Sequence, residues 1–243
     1  MGARIALAGT LSFALILGLA AAVPLGTPKV EGSAVPSPRP TFTAPPLVDA
    51  GPADPGVRRG SRAETRIRPL RVPIAGREVP SESELLPGTA RDHRAGSHEG
   101  IDFPADAGTP VIAAGDGLVV RADRAFTDWT DEERNAALAE AVGLGRTPER
   151  TLDLIRGRQV WIDHGRGIVT RYAHLESVGP VSVGDHVRAG DLIGTVGSSG
   201  YPEGGPHLHF EIRIGESYLG YGLTPAELAR ALRKTFRVVL DAQ

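Results

Sequence analysis

The chain has 243 residues, a net charge of −2 at pH 7 and no cysteine. A nearly neutral chain has no excess of Lys and Arg with which to bind phosphates, so no nucleic-acid partner is predicted. The lack of cysteine excludes disulfides, thiolate metal ligands, a cysteine nucleophile and a lipoprotein cysteine anchor.

Residues 1–23 have the composition of a signal peptide. A single charge, Arg4, precedes an apolar run from Ile5 to Val23, and three alanines at 20–22 offer a cleavage site. The run is also close to the minimum length of a membrane-spanning helix, so an uncleaved N-terminal anchor is the alternative. In both cases we expect an exported protein of the cell envelope, periplasmic or extracellular, which the uncleaved segment would tether to the membrane.

Residues 24–60 are predicted to be a disordered linker. Nine prolines fall between Pro24 and Pro55, among small residues that cannot bury enough apolar surface to fold. Residues 61–84 form a basic lead-in, which we interpret as a solvated linker end in preference to a contact with anionic wall polymers or lipid headgroups. A folded domain is then predicted over residues 85–243.

A histidine and a carboxylate lie four residues apart at His98 and Asp102. His98 and Glu99 could be mistaken for half of a helical His-Glu-x-x-His zinc motif. The neighbouring glycines and Pro104 disfavour a continuous helix, so we predict an extended loop that carries two candidate metal ligands.

The rest of the domain has the pattern of short strands separated by glycine turns. Glycine and aspartate turns occur at residues 115–117 and 184–185, between apolar runs rich in β-branched residues. This pattern predicts a mainly β fold, either an antiparallel sheet or a small barrel-like sandwich. A final helix is predicted to begin at Thr224-Pro225 and to cover the domain from outside.

A two-helix insertion is predicted at about residues 124–158. Thr130 begins a capping-box sequence that Gly143 should end, and Thr147-Pro148 begins a second helix that should end near Gly157. The apolar residues that would pack it are Trp129, Leu138, Leu152 and Ile155.

We favour packing of this insertion on the sheet edge over the alternative that it forms a wall of the substrate groove. Under both interpretations, replacing residues 126–156 by a short Gly-Ser turn should leave the metal site intact.

The run Pro-His-Leu-His-Phe-Glu at residues 206–211 is the most informative one. His207 and His209 share one face of a predicted strand, and Leu208 and Phe210 share the other. His174 ends another apolar run upstream. Imidazole is the commonest metal ligand and the usual acid or base near neutral pH.

These residues match the ligand chemistry of a catalytic zinc, which keeps three protein ligands and leaves a fourth position open for water. His98, Asp102 and His209 would supply two nitrogens and one carboxylate oxygen. His174 and His207 would then remain close to the metal to handle protons, so no glutamate base is required.

The motifs resemble those of the lysostaphin-type zinc endopeptidases, also called the LytM-domain family. In chain order they are His98-x-x-x-Asp102, the Tyr-x-His-Leu run that ends at Leu175, and His207-x-His209. The resemblance covers about residues 85–215, interrupted by the insertion.

The resemblance implies one zinc per domain, held by His98, Asp102 and His209, with His174 and His207 as the catalytic pair. It also implies a β-sheet floor beneath a narrow groove. The implied activity is hydrolysis of peptide bonds in peptidoglycan stem peptides or cross-bridges, during cell wall remodelling or lysis. We expect a monomer.

Two other functions are alternatives to hydrolysis. A non-hydrolytic regulator of the same family, which activates a cell-wall amidase, is expected to lack metal ligands, and here all five site residues are present. A lipoyl or biotinyl carrier needs a lysine at a hairpin tip, whereas Lys29 and Lys234 fall in the linker and the last helix.

The remaining histidines are predicted to be solvated or turn residues: His93, His164 and His186.

Overall fold

The computed structural model describes residues 69–236. Its strands are β1 Ile101–Pro104, β2 Pro110–Ile112, β3 Gly117–Ala122, β4 Val160–Asp163, β5 Ile168–Ala173, β6 Leu175–Val178, β7 His186–Val187, β8 Leu192–Val196, β9 His207–Ile214 and β10 Ser217–Tyr218. Its helices are α1 Asp131–Leu144, α2 Glu149–Arg156 and α3 Pro225–Thr235, with short 3-10 turns at Ser83–Leu85 and Pro202–Gly204.

The strands form two antiparallel sheets around one core. The larger sheet has the order β1-β9-β5-β4-β3-β7 with β10 beside β9, and the smaller has the order β2-β8-β6. Buried side chains from both sheets meet in a single cluster, among them Tyr172 and Phe210 from the larger sheet and Val111 and Ile193 from the smaller. The predicted mainly β fold with a two-helix insertion and a C-terminal helix is therefore confirmed.

The glycine turn at residues 115–117 joins strands of different sheets. β2 pairs with β8, whereas β3 pairs with β4 and β7, so this turn carries the chain from the smaller sheet to the larger one. A Cβ at Gly117 would lie 2.5 Å from the carbonyl oxygen of Asp163, and only glycine allows the approach. The turn thus connects the two sheets, and its last glycine lets β3 lie close to β4.

The insertion divides a hairpin, as predicted, because Ala122 of β3 pairs with Val160 of β4. Thr130 and the glutamate three residues later form the predicted capping box of α1. The predicted stop at Gly143 is wrong: α1 continues to Leu144 and ends at Gly145, whose φ of 64° is the left-handed conformation that closes a helix. α2 ends at Gly157, as predicted.

Both ends of the described segment pack into the domain. Leu70 and Ile74, in the predicted lead-in, are buried in the core, and Leu70 pairs with Phe236 just after α3. The structure therefore places the start of the domain before residue 85. The predicted capping box at Thr224 is confirmed.

The predicted signal peptide or anchor, the linker and residues 61–68 of the lead-in lie outside the described residues. Within residues 69–236, no helix combines the length and the apolar composition that crossing a bilayer requires.

Candidate metal centre and active site

Three candidate ligands converge at the end of the larger sheet. Asp102 on β1 is the direct partner of His209 on β9, so the antiparallel register brings their side chains to one place. His98 reaches the same place from the loop before β1, which is not helical, as predicted. The distances are 2.9 Å from His98 Nε2 to Asp102 Oδ1, 3.1 Å from His98 Nε2 to His209 Nδ1, and 2.8 Å from His209 Nδ1 to Asp102 Oδ1.

The far nitrogen of each ligand imidazole donates to a fixed acceptor. His98 Nδ1 donates to the carbonyl oxygen of Leu86 at 3.0 Å, and His209 Nε2 donates to Glu211 Oε1 at 3.1 Å. Such partners fix the ring orientation and the tautomer of a metal-binding histidine. The nitrogens that face each other are therefore the ones available to a cation.

This donor set fits zinc. All three residues are buried, and their ligand atoms lie within 4.8 Å of one another. Two imidazole nitrogens and one carboxylate oxygen are typical of a catalytic zinc, whose ligands lie about 2.0–2.2 Å from the ion. Arg91 donates to Asp102 Oδ2 at 2.7 Å, which leaves Oδ1 on the side of the two imidazoles.

The other two histidines of the predicted site stand beside these ligands. His174 lies between β5 and β6 with a φ of 59°, and its Nδ1 donates to the carbonyl oxygen of Ser199 at 2.9 Å. His207 begins β9, and its Nδ1 donates to the carbonyl oxygen of Gly205 at 2.8 Å. The two ring centres are 4.6 Å apart, and His207 Nε2 is 3.8 Å from Asp102 Oδ1. The structure thus brings all five predicted site residues together.

Burial and neighbouring charges give these histidines different pKa values. Burial, with the imidazoles of His207 and His209 nearby, holds the pKa of His174 well below its ordinary value, and burial also lowers the pKa of His207. Both rings are therefore neutral near pH 7 and can accept a proton at Nε2. Burial opposes charge on His209 as well, but its hydrogen bonds to Asp102 and Glu211 outweigh burial and raise its pKa to about 9.

Sequence reasoning missed the charged residues behind the metal centre. Glu211 is completely buried and contacts Arg156 and Arg171 in addition to His209. The strand period did contain a signal for Glu211, because it follows His207 and His209 on the same face of β9. No local signal indicated Arg156, which belongs to the insertion.

The five residues lie in a groove of about 330 Å³. Leu152 and Ile155 of α2 line it, so the groove-wall interpretation of the insertion is supported, although we favoured the edge cover. His93 lies in a turn, as predicted, but its ring also stacks on Tyr201 at 4.6 Å and lines the same groove.

The other two histidines lie apart from the groove. His164 is a half-buried turn histidine whose ring nitrogens contact the carbonyl oxygen of Asp116 and the hydroxyl of Thr170. His186 is exposed, as predicted.

Several known proteins are similar in sequence or structure to part of this chain. A peptidoglycan DD-endopeptidase of Vibrio cholerae is 30% identical over 148 residues, which are 60% of this chain and 27% of that protein. A glycyl-glycine endopeptidase of Staphylococcus capitis is 36% identical over 118 residues, 48% of this chain and 24% of that protein. The chain thus matches only about a quarter of the length of these relatives. A solved zinc-containing peptidase from Vibrio cholerae superposes with a TM-score of 0.43 at 25% identity, covering 63% of this chain and 39% of the other.

The family assignment comes from the part of the chain that carries the site. The model of peptidase family M23 matches residues 96–220, which include all five candidate residues and the insertion. This is more than half of the 243 residues. The resemblance to the lysostaphin-type enzymes is confirmed, and the chain belongs to peptidase family M23.

Proposed function

We propose that this protein is an exported zinc-dependent endopeptidase that hydrolyses peptide bonds of peptidoglycan. The observation that carries the proposal is the convergence of His98 Nε2, Asp102 Oδ1 and His209 Nδ1 beside two further histidines in one groove. Two relatives whose names describe peptidoglycan and glycyl-glycine endopeptidases support the substrate class. The predicted export segment fits a wall substrate.

In this proposal His98, Asp102 and His209 hold one zinc ion. A bound zinc supplies Lewis-acid stabilisation of the scissile carbonyl and lowers the pKa of water. His174 and His207 accept and return protons at Nε2, because burial keeps them neutral and their Nδ1 atoms are already engaged. The ring that accepts the proton of the attacking water is charged until it returns that proton to the leaving amine, and in that state its Nε2–H would stabilise the oxygen that becomes negative.

The substrate is tested by digestion of purified peptidoglycans that differ in cross-link type. We expect mass spectrometry to find new peptide termini in one cross-link type, and a His207→Ala protein to release none. If neither protein releases a fragment with zinc supplied, hydrolysis is contradicted and the amidase-activating alternative is favoured. A purified cell-wall amidase added to the same reaction would then reveal stimulation.

Acid should remove zinc and activity together. Protons compete with zinc for the ligand nitrogens of His98 and His209. Because the pKa of His209 is raised to about 9, its proton already competes at neutral pH, and the competition grows as the pH falls. We therefore expect apparent zinc affinity to decrease steadily from pH 9 to pH 6, measured against a chelator of known affinity. Full activity at pH 4 with limiting zinc would contradict ligation by two histidines.

A further inference from the structure

Glu211 needs a partner because it is a completely buried carboxylate. Leaving such a charge unpaired costs several kcal/mol. Its shortest contact is with the insertion, where Arg156 Nε donates to Oε1 at 2.6 Å. The contacts of Arg171 and Arg213 reach the other oxygen, Oε2, at 3.5 and 3.4 Å. The oxygen that accepts the Nε2–H of His209 is therefore the one that Arg156 holds.

Arg156 is itself fixed from several sides. Its side chain is 4% exposed, and its guanidinium lies 3.2 Å from Glu149 and 3.7 Å from Glu99. Glu99 directly follows the candidate ligand His98 and also accepts from Arg94 at 3.1 Å. A planar guanidinium with several carboxylate partners has little freedom to move. One side chain of α2 thus bridges the two chain segments that carry the imidazole ligands.

We propose that Arg156 is a positioning residue for the metal centre. It holds the Glu211 carboxylate, and Glu211 holds the imidazole of His209 with Nδ1 toward the other ligands. Without Arg156, the two remaining arginines contact only Oε2, so Glu211 can turn away and His209 loses its fixed acceptor. This inference rests on the proposed function, because it assumes that His209 binds zinc.

The backbone of Arg156 makes a separate contact that substitutions leave in place. Its carbonyl oxygen accepts the backbone N–H of His174 at 2.8 Å. A change of side chain keeps this carbonyl, so a variant at this position removes only the side-chain contacts with Glu211, Glu149 and Glu99. The double-mutant cycle described below isolates the contact with Glu211. The same geometry alters the expectation for the insertion, since replacing residues 126–156 removes Arg156 and should disturb the metal site.

The first measurement is zinc affinity, by competition with a chelator. We expect Arg156→Gln to bind zinc roughly 10- to 100-fold more weakly than the wild type, the usual cost when a metal ligand loses its outer partner, because Glu211 without Arg156 no longer holds His209. Arg121→Gln is the matched control, because Arg121 also forms a half-buried ion pair with α2, through Asp153 at 2.5 Å. None of its described contacts is with Glu211 or a histidine of the site. We expect this control to keep the zinc affinity of the wild type.

Cobalt substitution gives a second readout that does not depend on turnover. The visible bands of bound Co²⁺ report the geometry of its ligands, so they should shift in Arg156→Gln and not in Arg121→Gln. A double-mutant cycle with Glu211→Gln identifies the route. If Arg156 acts through Glu211, the Arg156→Gln substitution should change zinc affinity much less when Glu211 is already glutamine.

The outcomes separate the two proposals. A wild-type protein that binds no zinc contradicts the metal assignment itself. If the wild type binds zinc, the positioning role is overturned by unchanged affinity in Arg156→Gln, by an equal loss in Arg121→Gln, or by additive losses in the cycle. If Arg156→Gln does not fold, Arg156→Lys tests the positioning role, because lysine keeps the charge but lacks Nε and the planar guanidinium. We expect Arg156→Lys to bind zinc several-fold more weakly than the wild type. An affinity equal to that of the wild type would overturn the inference.

Discussion

His209→Ala should lose its zinc, whereas His207→Ala should keep zinc and lose hydrolysis. His209 Nδ1 is 2.8 and 3.1 Å from the other two candidate ligand atoms, so its removal leaves only two of three donors. His207 Nε2 lies 3.8 Å from Asp102 Oδ1 and is outside that group of three. The expected loss of turnover in His207→Ala is about 10²- to 10⁴-fold, the usual contribution of a general acid or base.

The measurements are zinc content after dialysis and turnover with zinc in excess. His186→Ala is the control, because His186 is an exposed histidine on β7 away from the groove. It should match the wild type in both respects. Equal loss of zinc from His207→Ala and His209→Ala would show that the division between ligand and proton carrier is wrong.

Gly157→Ala should destabilise the protein far more than Gly145→Ala. Both glycines end helices of the insertion with nearly the same φ, 66° and 64°. A Cβ at Gly145 meets nothing within 4 Å, so that substitution adds only the left-handed strain of about 1–2 kcal/mol. A Cβ at Gly157 would overlap the backbone carbonyl of Ser199. In addition, the ψ of Gly157 is −138°, which together with its positive φ is a backbone conformation that other residues rarely adopt. We expect a loss of about 3 kcal/mol or more there.

The same substitution should lower activity in molecules that remain folded. The carbonyl of Ser199 is the acceptor that orients His174, and any shift that relieves the overlap moves it. Urea unfolding gives the free energy for both variants, and turnover is measured below the transition of each. Equal losses of unfolding free energy would mean that the contact between Gly157 and Ser199 does not constrain the fold.

Local sequence rules predicted the elements because their causes lie within a few residues. The capping boxes at Thr130 and Thr224 are made by side chains three residues apart, and both formed. The alternation in β9 put His207 and His209 on one face for the same reason. The predicted end of α1 was wrong because Gly143 and Gly145 offer the same signal, and only the backbone conformation distinguishes them.

Long-range contacts could not be predicted in this way. Arg156 and Glu211 are 55 positions apart, and nothing near either residue indicates the other. His93 lies in a charged segment, and its contact with Tyr201 depends on how two separate loops approach each other across the groove.

The sequence by itself determined the residue types of the site, the strands and helices that carry them, and the resemblance to a peptidase family. Each of these depends on short spacings: two residues along a strand, or four between His98 and Asp102. Only the tertiary structure decided what surrounds the metal centre. The buried charge of Glu211 has to be neutralised by whatever cation the packing brings to it, and the docking of α2 on the larger sheet brings Arg156.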